Sequence, residues 1–202
     1  MIVEYKYWYF KNVIPKRICN EIIRLGESKQ KKIGETFGYL ADKTKDLSKL
    51  YEFRNSHIAW LNQPWLYRYI SKFFNIANQK ANWNFNTSFF ENPQYTLYTK
   101  DQFYDWHEDG GDKINDSENI NFENTVRKLS CSILLEDPKN FKGGDFYFRW
   151  LDGKNIVEHK VEELDGVGSL IIFPSFLTHK VSPVTEGTRK SLVIWKVGQP
   201  YT

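Results

Sequence analysis

The sequence predicts a mainly β domain with helices in its N-terminal part, built as a sandwich or jelly roll. Two observations carry this prediction. From Phe85 to the end, short β-prone runs follow one another, separated by Gly, Pro, Asn and Asp. Before Phe85, two stretches instead carry apolar residues at helical spacing. The chain has 202 residues, of which 41% are apolar and 17% aromatic, enough for one domain with a sizeable core and aromatic pocket walls. Within a single domain 1–202, residues 1–84 read as a helical support region and 85–202 as the β core.

The elements follow in order. Pro15 stands near the first turn of a helix whose Ile18, Ile22, Ile23 and Leu25 lie mostly on one face, and Gly26 is expected to end it. A second helix is expected from about Pro64 to Ala77, carrying Leu66, Tyr69, Ile70, Phe73 and Phe74. Residues 32–56 are mixed and polar and give no clear pattern. The expected strands are Phe85–Phe90, Gln94–Thr99, Lys128–Leu135, Asp145–Trp150, Ile156–Val161, Ser169–Phe173, His179–Val181 and Arg189–Val197. The polar, Asn-rich stretch between Asp109 and Thr125 is long for a structureless loop. It reads as a mobile lid over residues 110–126.

Composition excludes several classes. The net charge of +3 comes from 28 basic and 25 acidic residues, too even to argue for nucleic acid or an anionic membrane surface. No apolar run is long enough to span a bilayer. The opening residues MIVEYKYWYFKNVIP lack the apolar core of a signal peptide. Two distant cysteines, Cys19 and Cys131, form no disulfide framework and suit a reducing compartment. A cytoplasmic location is therefore expected.

The chemical signal is a set of metal-ligand residues in the C-terminal half. His107 and Asp109 form a His-x-Asp, and in extended chain residues i and i+2 point to one side. His179 lies seventy residues beyond Asp109, and Arg189 ten beyond that. Taken singly, each has a plain alternative: a solvated acid beside a half-buried imidazole, an edge histidine after an apolar strand, a surface arginine. Taken together, two histidines and one carboxylate can hold an octahedral iron on one face and leave three positions open. A turn with Pro183 and Gly187 is expected to join two antiparallel strands and place His179 and Arg189 on one hairpin. On its strand Arg189 would share a face with Ser191, Val193 and Trp195, and a buried guanidinium there calls for an anion.

These residues resemble the iron(II)- and 2-oxoglutarate-dependent dioxygenases, and among them the prolyl 4-hydroxylase-like, or PKHD-type, branch. The resemblance covers roughly residues 85–198. It rests on Gln94-Tyr95-Thr96-Leu97-Tyr98, Tyr104-Asp105-Trp106-His107-Glu108-Asp109, Arg127-Lys128-Leu129-Ser130, Phe141-Lys142-Gly143-Gly144-Asp145-Phe146, Phe173-Pro174-Ser175 and the run from His179 to Leu192. It implies a double-stranded β-helix, a cupin-like jelly roll with residues 85–202 as the catalytic core. It implies His107, Asp109 and His179 as iron ligands, and Arg189 as partner of the far carboxylate of 2-oxoglutarate. Tyr98, Ser191, Trp195 and Thr178 are implied cosubstrate-pocket residues. The Gly143-Gly144-Asp145 turn is read as structural. The implied cofactors are Fe(II), 2-oxoglutarate as cosubstrate and O2, with ascorbate as a candidate reductant. Asp109, rather than Gly or Ala, points to hydroxylation over halogenation.

The resemblance implies a prolyl, peptidyl or amino-acid-like substrate, in a peptide, a protein or a small molecule. Substrate contacts are expected from the 110–127 loop and from Tyr104 and Trp106. The same chemistry on a nucleobase, a siderophore or a small metabolite is the alternative. A non-catalytic jelly roll that binds carbohydrate or protein, or a metal-bound storage protein, are further alternatives; the complete ligand set argues against the first and Arg189 against the second. Nothing in the sequence fixes the oligomeric state.

Overall fold

A computed structural model of the chain describes residues 3–34, 51–110 and 124–201. The expected lid lies almost wholly outside the described residues. The elements are β1 (Trp8–Phe10), α1 (Lys16–Glu27), β2 (Lys32–Ile33), β3 (Arg54–Asn55), β4 (His57–Trp60), α2 (Pro64–Lys80), β5 (Gln94–Tyr98), β6 (Phe103–His107), β7 (Val126–Leu134), β8 (Phe141–Gly143), β9 (Phe146–Asp152), β10 (Asn155–Lys160), β11 (Leu170–Pro174), β12 (Thr178–Val181), β13 (Val184–Gly187) and β14 (Arg189–Gly198). A seven-stranded sheet runs β1-β11-β7-β14-β5-β4-β2, and a five-stranded sheet runs β10-β9-β12-β6-β3. Every described strand pair is antiparallel. The result is the jelly roll that the sequence predicts.

The seven-stranded sheet is buried on both faces. Alternation along β11 sends Leu170 and Ile172 to one side, Ile171 and Phe173 to the other. The first side packs against the helices. There α2 presents Leu66, Ile70, Phe73, Phe74 and Ala77, a stripe at helical spacing, and α1 presents Cys19 and Ile22. The other side faces the second sheet across Phe146, Phe148, Phe173 and Val181.

Three expectations are corrected. Residues 85–90 form no strand. Residues 88–91 only bond along the end of β14, where Ser88 donates to Val197, Val197 to Phe89 and Glu91 to Trp195. This segment takes over because β5 pairs with β14 only from Arg189 to Val193. The 1–84 region is not purely helical, since β1 through β4 join the two sheets. His179 and Arg189 do not share a hairpin. β12 belongs to the five-stranded sheet and β14 to the seven-stranded one, while β13 between them pairs with β8. The chain crosses the sandwich between the two residues.

Gly26 does not stop α1, which continues to Glu27. It is there because Tyr95 lies on the helix: a Cβ at Gly26 would sit 2.3 Å from Tyr95 Cγ. The Tyr95 hydroxyl then donates to Glu27 Oε1 at 2.7 Å. A side chain at 26 must lift the helix off the sheet. Gly26→Val should therefore destabilise the protein by about 1–3 kcal/mol, the usual cost of overpacking, read from the urea unfolding midpoint.

Candidate active site

β12 pairs with β6 so that His179 stands opposite His107, while Val181 stands opposite Tyr104. Between those pairs β6 has two residues, Asp105 and Trp106, where β12 has one, Lys180. This bulge turns Tyr104 and His107 to the same side, and their rings stack 3.4 Å apart at 12°. Asp109 follows two residues after His107. One ligand atom from each of His107, Asp109 and His179 then lies within 4.8 Å of the others. The three side chains are 7%, 7% and 5% exposed.

Hydrogen bonds fix both imidazoles. His107 Nδ1 lies 2.7 Å from the Asp105 carbonyl, and His179 Nδ1 lies 2.8 Å from the Leu177 carbonyl. A carbonyl oxygen can only accept, so each Nδ1 carries the proton and each Nε2 offers its lone pair. His107 Nε2 lies 3.8 Å from Asp109 Oδ1 and His179 Nε2 lies 3.5 Å from Oδ2. Asp109 Oδ2 is buried without a hydrogen-bond partner. Two lone pairs and an unsatisfied carboxylate converging on one point fit a divalent metal such as iron(II).

Burial, followed by the neighbouring His179, holds the His107 pKa well below its ordinary value. Burial alone would raise the Asp109 carboxyl. His179, His107, Arg127 and Trp195 outweigh it and bring Asp109 to about 2. Trp195 Nε1 faces that carboxylate without a hydrogen bond of ordinary geometry.

The cavity beside the cluster has a volume of about 750 Å³. Alternate residues of β14 (Arg189, Ser191, Val193, Trp195) and of β5 (Gln94, Thr96, Tyr98) line it. Register places Arg189 beside Tyr98 and Ser191 beside Thr96. Arg189 is 2% exposed and donates to Ser191 Oγ at 3.0 Å. No described carboxylate forms an ion pair with it. Burial lowers its pKa, partly offset by Tyr98 and Asp145. Gly144, at φ +63°, seats its stem: a Cβ there would lie 2.8 Å from Arg189 Cδ. The other expected residues scatter more. Thr178 stands at the rim and donates to Glu108 Oε1 at 3.1 Å. Trp106 is held between Arg149 at 3.9 Å and Lys180 at 4.3 Å.

Sequence reasoning missed two arginines in this cavity, the buried Arg54 and the half-buried Arg127. Arg54 donates to Ser56 Oγ and Gln94 Oε1 at 3.0 and 2.9 Å and covers the Tyr104 ring at 4.3 Å. Arg127 grips Glu91 through two bonds of 2.7 and 2.6 Å. An arginine read from sequence defaults to solvent. The only signal was Arg127's place at the start of a matched motif.

A jelly roll with two histidines and one carboxylate converging beside a buried arginine has the architecture of a non-haem metal oxygenase. The sequence model of the 2OG-Fe(II) oxygenase superfamily matches residues 93–196, which is 104 of 202 residues, and the chain belongs to that superfamily. A PKHD-type hydroxylase of Janthinobacterium sp. (strain Marseille) is 28% identical over 103 residues, 51% of this chain and 42% of that protein. Another, from Aliarcobacter butzleri (strain RM4018), is 31% identical over 99 residues, 46% of this chain and 41% of that protein. The chain thus spans about 42% of the length of the curated relatives it matches. Among solved structures, a Pseudomonas putida prolyl-4-hydroxylase superposes with TM-score 0.65 at 18% identity, covering 98% of this chain and 95% of that one. The viral collagen prolyl hydroxylase of Paramecium Bursaria Chlorella virus-1 gives 0.65 at 17%, covering 96% and 97%. These likenesses show the fold. The family uses Fe(II), 2-oxoglutarate and O2. Among the described residues, no helix is long and apolar enough to cross a membrane.

The depressed His107 pKa has a consequence for stability. The folded site refuses a proton that the unfolded chain accepts below about pH 6.5. Stability of the metal-free protein should therefore fall as pH drops from 6.5. His107→Gln should flatten that part of the curve, measured by urea unfolding at a series of pH values between 7 and 5. A curve unchanged by the substitution would show that His107 is not the proton-refusing group.

Proposed function

We propose that this chain is an iron(II)- and 2-oxoglutarate-dependent dioxygenase that hydroxylates an unactivated C–H bond of a prolyl, peptidyl or amino-acid-like substrate. The observation that carries the reading is Arg189. A buried guanidinium that forms no ion pair among the described residues, in the same cavity as the His107, Asp109 and His179 cluster, calls for an anionic ligand. A dicarboxylate that reaches from the cluster to Arg189 answers both needs.

His107, Asp109 and His179 would hold the metal. When bound, iron(II) supplies the activation of O2 coupled to loss of CO2 from 2-oxoglutarate, so that R–H, O2 and 2-oxoglutarate give R–OH, succinate and CO2. The protein's own work is positional. Arg189 would bind the far carboxylate through its paired N–H groups, with Ser191 fixing the guanidinium and Tyr98 closing the side. Tyr104 and Phe146 stack on the two imidazoles and keep water off them. Trp60 and Phe53 line the open side of the cavity, which offers an apolar surface to a substrate. A peptidyl substrate is supported by one structural neighbour, a Trichoplax adhaerens prolyl hydroxylase in complex with a hypoxia inducible factor peptide fragment, at TM-score 0.62. The same reading keeps the cytoplasmic location, in line with two free buried thiols.

Succinate release from 2-oxoglutarate across pools of peptides and amino acids tests the activity. Asp109→Ala and His107→Ala should abolish it, and full turnover in Asp109→Ala would refute the ligand assignment. Arg189→Lys keeps the charge but loses the fork. It should raise the KM for 2-oxoglutarate about tenfold, equivalent to ~1.4 kcal/mol, with little change in metal affinity. An unchanged KM would mean that the guanidinium serves another anion.

A further inference from the structure

Among the described residues, three buried side-chain polar atoms lack a hydrogen-bond partner: Asp109 Oδ2, Trp195 Nε1 and Tyr201 Oη. The first two line one cavity and are opposite in kind. A carboxylate oxygen accepts and an indole N–H donates. A metal held with the two histidines needs one Asp109 oxygen, which leaves the other for a donor, and the unsatisfied indole N–H in the same cavity is one.

We propose that Trp195 is a positioning residue for Asp109: its indole N–H holds the carboxylate oxygen that the metal leaves free. The inference rests on the metal reading of His107, Asp109 and His179. A carboxylate that binds a metal through one oxygen keeps a second, charged oxygen inside the cavity. Trp195 can donate to that oxygen and has no lone pair with which to take a metal position itself.

The surroundings show how the indole is aimed. Its ring lies under the Arg127 guanidinium at 3.9 Å and against Trp60 at 6.1 Å. Arg127 is locked by its two bonds to Glu91 and also donates to the Asp109 backbone carbonyl at 3.4 Å. One arginine therefore touches both the Trp195 ring and the main chain of Asp109. One-oxygen binding is the outcome this geometry favours, because a carboxylate held by a donor on its second oxygen cannot close onto the metal with both. The open positions that O2 and a bidentate cosubstrate require stay open.

The test uses the full chain without 2-oxoglutarate, with Mn(II) as probe and free Mn(II) read by electron paramagnetic resonance. Trp195→Phe keeps an aromatic ring and removes the N–H. It should weaken Mn(II) binding by about tenfold, the lower end of the range for groups that orient metal ligands. Trp60→Phe disturbs the same stack but leaves the N–H, and should bind within twofold of the parent. Near-ultraviolet circular dichroism reports whether either variant keeps its packing. Equal affinity in Trp195→Phe overturns this inference alone, as does an equal loss in Trp60→Phe. A parent chain that binds no Mn(II) overturns the metal reading and this inference with it. A second measurement needs no variant. On addition of Zn(II), the Trp195 indole proton should move downfield and exchange more slowly with solvent by NMR. An indole proton that does neither overturns the proposal.

Discussion

The register of one strand pair decides whether this protein has a site. β12 meets β6 with His179 opposite His107, and the bulge that follows brings Tyr104 round to stack on the imidazole. A slip of one residue would send a histidine to the outer face and dissolve the cluster. The register is held from behind. β9 pairs with β12 along its whole length, and Phe146 and Phe173 pack directly against the His179 ring with Phe148 behind them. Packing that looks like ordinary core thus sets ligand geometry to within the tolerance a metal demands.

The cavity's charges are shared out among its own residues, and Arg127 helps to keep the Asp109 carboxylate ionised. Arg127 is committed to Glu91 and Arg54 to Ser56 and Gln94. Arg189 sits apart on the other sheet with a hydroxyl for company. Two separated, opposite charges in one cavity suit the metal ion and the anion of the proposed reading.

Much of this was legible in the sequence. The His-x-Asp, the second histidine and the arginine are short-range and ordered signals, and extended chain converts their spacing into shared faces. The strands built of β-branched and aromatic residues, such as β11 and β14, announced themselves the same way. Failures came where tertiary structure decides. Residues 85–90 look like a strand, yet β14 has room beside it only for intermittent bonds. Gly26 looks like a helix stop, yet its role is to make space for Tyr95. The crossing between His179 and Arg189 looked like a hairpin because the sequence marks a turn but not which sheet receives the next strand. Arg54 and Arg127 were invisible as pocket residues because their burial depends on partners forty and thirty-six positions away.

That crossing makes the sandwich a ruler. The two histidines belong to one sheet and the guanidinium to the other, and packed sheets keep a spacing of about 10 Å. With Arg189 as the proposed anchor, the length of dicarboxylate that fits is written in the thickness of the layer between them. Phe146, Phe148 and Phe173 pack against one another in that layer. On the proposed reading, discrimination between diacids that differ by one methylene would then be a property of hydrophobic packing.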